Sequence, residues 1–404
     1  MHSERGNGMK KLSSLAENIT VSPTMALDSI AKQMKADGID VVSFGAGEAD
    51  LDTPDNIRAA GIKAINDGMT KYTPSAGLTA LRQAAANRLR IDCGTDYEYD
   101  QIVVASGTKH SIYIALCTLL DPGDEVILPA PYWVSYHEMI RMAGGVPVIV
   151  KTDVQHGFKL TAEQLESAVS EKTKVFLINN PSNPSGIVYS RAELSALAEV
   201  CVKHDLYVIA DEVYYGLVYD GRSFVSFASL GDDIKELTIV INGVSKSYSM
   251  TGWRVGYSAS NHRIAKLMDG YLSHSTGAPS TVSQYAAAEA LTGPQDGIEA
   301  MCRVFEVRRN YMLKRLGELG CAGAIVPQGA FYIMMDISCF IGRILGGRVI
   351  RNDEDFALAF LEKGRVAVVP LTSFGAPNYV RWTFAASMEN IREGMDRLAE
   401  FING

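Results

Sequence analysis

The residues that could do chemistry fall just past short apolar runs in this 404-residue chain. Lys246 stands in Ser245-Lys246-Ser247, between TIVINGV and the run YSMTGW, and Arg254 follows eight residues later. A lysine is ordinarily a solvated surface charge. Flanked in this way it is expected to be buried, and a buried lysine has a lowered pKa and suits a Schiff base. YVIA ends in Asp211-Glu212-Val213-Tyr214. An acid there can cap a helix, face water or meet a buried cation. IVVA runs into Ser106-Gly107-Thr108-Lys109-His110, a small-residue turn opening a helical pattern. Its free N–H groups and positive dipole end suit a phosphate. KVFLI ends in NNPSNPSG (179–186), which by itself reads as a tight loop. Singly, each feature has an ordinary structural explanation. Together they meet the needs of pyridoxal phosphate (PLP): a lysine for the aldehyde, an acid for the ring nitrogen, and donors for the phenolic oxygen and phosphate.

Ligands of open α/β sheets bind at the carboxyl ends of the strands, so the elements matter as much as the residues. Seven runs rich in Val and Ile read as strands: 102–106, 125–129, 146–150, 174–178, 207–211, 238–242 and 255–259. Amphipathic helical patterns such as 192–204 separate most of them. Uninterrupted apolar strands divided by helices predict a mainly parallel, doubly wound α/β domain covered on both faces, over 48–295. Thr53-Pro54 reads as a cap with Pro at the first helical position, and Gly68 as the end of that helix. After Gly293-Pro294 the pattern changes to a long helix, then GAFYIMMD (329–336), a helix over 353–364, VAVVP, YVRWTF and a final helix. This predicts a smaller α+β domain over 296–404. Residues 1–47 are expected to join it, because chain termini often lie close together.

Composition narrows the function classes. Lys and Arg number 38 and Asp and Glu 46, a net charge of −8, and no basic stripe points to nucleic acid. No apolar run approaches the roughly 20 residues that span a bilayer, and the N-terminus has no apolar stretch of a secretory signal. The six cysteines, at 93, 117, 201, 302, 321 and 339, fit neither a zinc site nor a disulfide framework, which points to reduced thiols and a cytoplasmic location. No metal site is expected. There is no Walker loop and no GxGxxG, so a dinucleotide site and hydride transfer are poorly supported.

GVSKSYSMTGWRVG (243–256) resembles the cofactor-lysine signature of class I aminotransferases, the fold-type I PLP enzymes. NNPSNPSG, DEVY, LDPGDEVILPAPYW, KYTPSAGLTALR and VRWTFA resemble that family too, in its order, from about Ser22 to the C-terminus. The bacterial aspartate aminotransferase subgroup called type Ib is the nearest resemblance. It implies L-aspartate:2-oxoglutarate amino transfer by a ping-pong route through a Lys246 aldimine.

Residue by residue, the resemblance gives Lys246 the cofactor aldehyde and then the role of general base. It pairs Asp211 with the pyridinium nitrogen and makes Asn183 and Tyr214 donors to the phenolic oxygen. Trp133 stacks on the ring. Gly107, Thr108, Ser245 and Arg254 form the phosphate cup. Tyr72 reaches the phosphate of a neighbouring subunit, which implies a homodimer with a composite active site. Arg381 holds the substrate α-carboxylate, a task suited to a planar guanidinium, and Gly47 contacts the same carboxylate.

The chain also departs from the family. Ala49 and Leu51 stand where Pro and Phe are usual, which could loosen the hinge. No Lys or Arg lies between Lys266 and Arg303, the stretch that supplies a side-chain-carboxylate arginine in the animal and enteric enzymes. Lys109 is the candidate replacement, with His274 a weaker one. Thr20 is neutral where prephenate-accepting relatives carry a basic residue, and Ser22 and Thr24 sit where the N-terminal segment folds over substrate. Alternatives are the same chemistry with an aromatic amino acid, alanine or prephenate as donor, or PLP-dependent C–S lysis. A transcription regulator on this fold would need a winged-helix domain ahead of the family segment.

Overall fold

The computed structural model describes residues 10–19, 23–321 and 325–404. Thr20 and Ser22 lie outside the described residues, as does the side chain of Thr24. Seven strands form one sheet, in the order Ile102–Ala105, Gly256–Ala259, Thr238–Gly243, Tyr207–Asp211, Thr173–Asn179, Glu125–Ala130 and Val146–Lys151. Gly256–Ala259 runs antiparallel to both neighbours and the other pairs are parallel. Each of the seven predicted runs is a strand, mainly parallel as expected.

The strand period of two divides the apolar residues between the faces. Val103, Ala105, Val126, Leu128, Ile209 and Ile241 pack against helices Thr108–Leu119 and His262–Ser275. Ile102, Val104, Val240 and Tyr257 face the opposite layer, with helices Thr79–Cys93 and Thr281–Thr292. Thr238–Gly243, Gly256–Ala259 and the edge strand Ile102–Ala105 are buried throughout, which is why they read as unbroken apolar runs.

A three-stranded antiparallel sheet is built from Val369–Pro370, Tyr379–Thr383 and Tyr332–Asp336. Its core includes Phe356, Phe360 and Trp382 and takes in helices Asp296–Glu318 and Met388–Asn403. Val42–Ser43 pairs in parallel with Val366–Ala367, so the N-terminal part of the chain packs with this layer.

Local expectations needed two corrections. The helix after Thr53 runs Asp55–Asn66, with Pro54 in the capping position. The Thr53 hydroxyl instead donates to Ser249 O at 2.6 Å and accepts from Trp253 Nε1 at 3.1 Å. VAVVP is two strands, because Val366–Ala367 and Val369–Pro370 pair with different partners. No helix among the described residues is long and apolar enough to cross a membrane.

Candidate active site

The carboxyl ends of five strands of the large sheet open on one cleft of about 430 Å³. Eleven of the residues singled out above line it: Gly47, Thr108, Lys109, Trp133, Asn183, Asp211, Tyr214, Ser245, Lys246, Arg254 and Arg381. Gly107 lies just behind, as the N-cap of helix Thr108–Leu119. Tyr72 is elsewhere, fully exposed on a loop. His274 is exposed in the last turn of helix His262–Ser275 and does not line the cleft.

Strand Tyr207–Asp211 delivers Asp211 to the cleft floor. Tyr136 donates to its Oδ2 at 2.5 Å and the Val213 N–H to its Oδ1 at 3.2 Å. Burial raises the carboxyl to about 6, held down by those two donors and by the charge of Lys246. One strand over, the turn after Thr238–Gly243 carries Lys246, whose Nζ donates to Gly47 O at 2.5 Å. Burial and then the nearby Arg381 lower this amine to about 8, while Asp211 opposes the shift. Tyr214 is buried with its hydroxyl 2.9 Å from that of Tyr332. Burial, then Tyr332, pushes the Tyr214 phenol up.

Arg381 comes from the small sheet and is 3% exposed. Its Nη1 donates to Asn183 Oδ1 at 2.9 Å and its Nη2 to Gly45 O at 2.8 Å. Its Nε is buried without an acceptor among the described residues. The guanidinium lies 4.3 Å from the Tyr332 ring centroid and 5.6 Å from that of Phe374. Arg254, in the left-handed region, donates to Thr251 O at 2.9 Å and to Ser106 O at 3.3 Å. Gly107 has φ +86°, and a Cβ there would stand 2.4 Å from Arg254 Nη2. Only glycine lets this helix N-terminus and the guanidinium share one cradle. Lys109 sits 4.8 Å from the Trp133 ring centroid, its amine lowered by burial and by Arg254.

Three contributors were not singled out from sequence. Tyr136 lies one helical turn beyond Trp133, and the two rings meet edge-on at 5.3 Å. Tyr332 follows the apolar alternation of its strand and reads as core. Asn179 ends strand Thr173–Asn179, donates to Asp211 O at 2.9 Å and accepts from the Asn183 N–H at 2.7 Å. The loop with Ala49 and Leu51 is anchored by a bidentate Arg308–Asp50 pair at 2.6 and 2.9 Å. Asp50 N also donates to Ala385 O at 2.8 Å.

A doubly wound sheet with a lysine, an acid and two arginines around one cleft defines an α/β enzyme that handles anionic ligands. The chain belongs to the class I and II aminotransferase family, whose profile, "Aminotransferase class I and II", matches residues 39–398. An aspartate aminotransferase of Bacillus sp. (strain YM-2) is 44% identical over 97% of this chain and 99% of its own length. An aspartate/prephenate aminotransferase of Cereibacter sphaeroides is 43% identical over 98% and 100%. Among solved structures, the aspartate aminotransferase of Rhizobium meliloti superposes with a TM-score of 0.94 at 38% identity, covering 98% of this chain and 99% of that one. That of Thermus thermophilus with maleate gives 0.91 at 38% identity, covering 97% and 100%. The architecture is fold type I and the enzyme an aminotransferase.

Proposed function

We propose that this enzyme transfers the amino group of L-aspartate to 2-oxoglutarate with PLP as cofactor. The observation that carries the reading is the lowered Lys246 amine, in the turn after the strand that pairs with that of buried Asp211, in a cleft whose two arginines are held by neutral acceptors. The cofactor is implied by the family, and the residues fit it. The Gly107–Arg254 cradle at a helix N-terminus suits a phosphate, the buried Asp211 suits a protonated ring nitrogen, and the orphaned Arg381 Nε suits a carboxylate. Bound PLP supplies an electron sink for charge that develops at the substrate Cα.

The chain's own groups do the rest. Lys246 holds the cofactor aldehyde and, once freed, moves the proton at the substrate Cα. Asp211, fixed by Tyr136, keeps the ring nitrogen charged. Tyr214 and Asn183 donate to the ring's phenolic oxygen and Trp133 covers its face. Thr108, Ser245 and Arg254 bind the phosphate. Arg381 takes the α-carboxylate beside Gly47, and Lys109 takes the side-chain carboxylate. Tyr72 completes the phosphate site of a partner subunit in a homodimer. The described residues of 1–47 and of 296–404 belong to the smaller domain, and 48–295 form the larger. Six free cysteines support a cytoplasmic location.

The test is the visible absorbance of the purified protein with L-aspartate and no oxo acid. A yellow band that bleaches supports the reading. A band that bleaches with L-phenylalanine or L-alanine but not with L-aspartate removes the aspartate assignment. No band after incubation with PLP removes the cofactor site.

A further inference from the structure

Gln284 is fully buried in helix Thr281–Thr292, yet none of its side-chain bonds is made to a residue of the helix. Its Oε1 accepts the Leu78 N–H at 2.7 Å. Its Nε2 donates to Thr73 Oγ1 at 3.1 Å and to Pro279 O at 2.8 Å. The partners fix the amide orientation, because the Leu78 N–H can only donate and the Pro279 carbonyl can only accept. Two of these three bonds go to the loop over residues 69–78, which carries Tyr72. The same helix supplies Thr281, whose hydroxyl donates to Lys71 O at 2.7 Å. Tyr72 is thus bracketed, Lys71 held on one side and Thr73 on the other, by a single helix.

The rest of the loop is fixed as well. Ser75 Oγ donates to Asp269 Oδ1 at 2.5 Å, and the Val104 N–H donates to Ala76 O at 3.0 Å. Gly77 has φ +100°, and a Cβ there would stand 2.7 Å from the Val104 side chain and 3.1 Å from Gln284 Oε1. Helix Thr281–Thr292 packs on both helices that the loop joins, Asp55–Asn66 and Thr79–Cys93. A backbone this constrained contrasts with the Tyr72 side chain, which projects wholly into solvent. A short loop that needed only to connect two helices would not require a buried amide with every donor and acceptor assigned to it.

We infer that Gln284 is a positioning residue that holds Tyr72 rigid for a second copy of this chain, so that it supports the partner's cofactor site and not its own. This rests on the composite-site reading of Tyr72 given above. The test uses dimers in which only one subunit keeps Lys246, the other carrying Lys246→Ala. The lysine-dependent visible band then reports PLP affinity at one intact site. Gln284→Met is placed either in the subunit that keeps Lys246 or in the one that lacks it and lends Tyr72.

Loss of one or two neutral hydrogen bonds predicts about three- to tenfold weaker PLP binding, and only when the substitution sits in the Lys246→Ala subunit. Tyr72→Phe should show the same placement, and the two changes together should weaken binding less than the product of their separate effects. Thr281→Val, which removes only the bond to Lys71, should act in the same direction and carries the test if Gln284→Met does not fold. Equal weakening in either placement, weakening only beside Lys246, or none at all overturns the inference if Tyr72→Phe still acts across subunits. If Tyr72→Phe does not act across subunits, the composite site itself is wrong and this inference falls with it.

Discussion

Replacing Arg381 by lysine keeps the charge and removes the fork, which makes it a sharp test of the carboxylate site. A guanidinium carries five N–H donors. Asn183 Oδ1 and Gly45 O take two of them, and the Nε–H is buried without an acceptor, so donors remain for a ligand. A lysine ammonium could make one charge-assisted bond to a carboxylate but not two parallel ones from a fixed plane. One lost bond of this kind is worth roughly 1.5–3 kcal/mol, so kcat/KM for L-aspartate should fall about 10- to 150-fold. Arg381→Ala removes both bonds and the charge and should cost about the square of that factor. It also strips Asn183 Oδ1 and Gly45 O of their shared donor.

Every amino donor carries an α-carboxylate, so Arg381→Lys should lower kcat/KM by the same factor for L-alanine as for L-aspartate. PLP affinity, read from the visible band, should stay within about threefold of wild type, since the proposed phosphate cradle at Gly107 and Arg254 does not involve Arg381. Steady-state kinetics and the dissociation constant for maleate, a dicarboxylate probe, read the two effects separately. An unchanged kcat/KM, or a loss traced to PLP release, would refute the assignment of Arg381 to the substrate carboxylate.

Lys109→Glu should reduce turnover of L-aspartate far more than that of L-alanine, and equal losses would remove Lys109 from the side-chain carboxylate. Tyr136→Phe deletes the 2.5 Å donor to Asp211 and should move the carboxyl further up from about 6. PLP should then bind more weakly as pH falls, and an unaltered pH profile of PLP affinity would contradict this. Glu212 is buried, accepts from Ser226 Oγ and the Phe227 N–H at 2.9 Å each, and has an Oε2 without a partner among the described residues. Burial raises it from 4.5 to about 8. Because the folded value is the higher one, its contribution is intact below about pH 4.5 and is lost as pH rises through about 8. Glu212→Gln mimics the protonated form, so it should raise Tm at pH 8.5 and leave Tm at pH 5 nearly unchanged. Parallel Tm–pH curves for the two proteins would show that Glu212 is not the titrating group.

What the sequence disclosed depended on how local the cause was. Most strands of the large sheet were legible because burial on both faces makes a strand continuously apolar, whereas the edge strand Val146–Lys151, partly exposed along its whole length, was legible from its Val and Ile content. The strand ends were legible for the same reason, since a polar residue interrupting such a run must face something. VAVVP misled because periodicity does not name partners, and Val368 stands where the chain passes from Val42–Ser43 to Tyr379–Thr383. Thr53 misled because its hydroxyl is taken by Ser249 and Trp253, about 200 residues away. Tyr136 and Tyr332 were invisible as site residues because an aromatic on a helix or strand reads as core, and their reach to Asp211 and Tyr214 exists only in the fold. Asp211 and Glu212 are adjacent acids, yet one faces the cleft and the other a buried turn, a distinction made by the strand period.

The placement of charge explains how a chain of net charge −8 can hold anions. Outside the cleft, buried arginines meet acids: Arg308 pairs with Asp50 and Arg309 with Asp220. Inside it, the cations are held by neutral oxygens. Arg381 has Asn183 Oδ1 and Gly45 O, Arg254 has Thr251 O and Ser106 O, and Lys246 has Gly47 O. A neutral acceptor satisfies a donor's geometry without cancelling its charge, so the positive potential persists for a ligand to use. At 4 Å and an effective dielectric constant near 20, one such charge attracts a carboxylate by about 4 kcal/mol, whereas surface acids are screened beyond about 8 Å. The same arrangement acts on Lys246, whose amine is lowered first by burial and next by Arg381. A carboxylate seated on Arg381 cancels the second cause. In the proposed mechanism, substrate binding would therefore raise the proton affinity of Lys246 at the stage where its amine takes the proton from Cα.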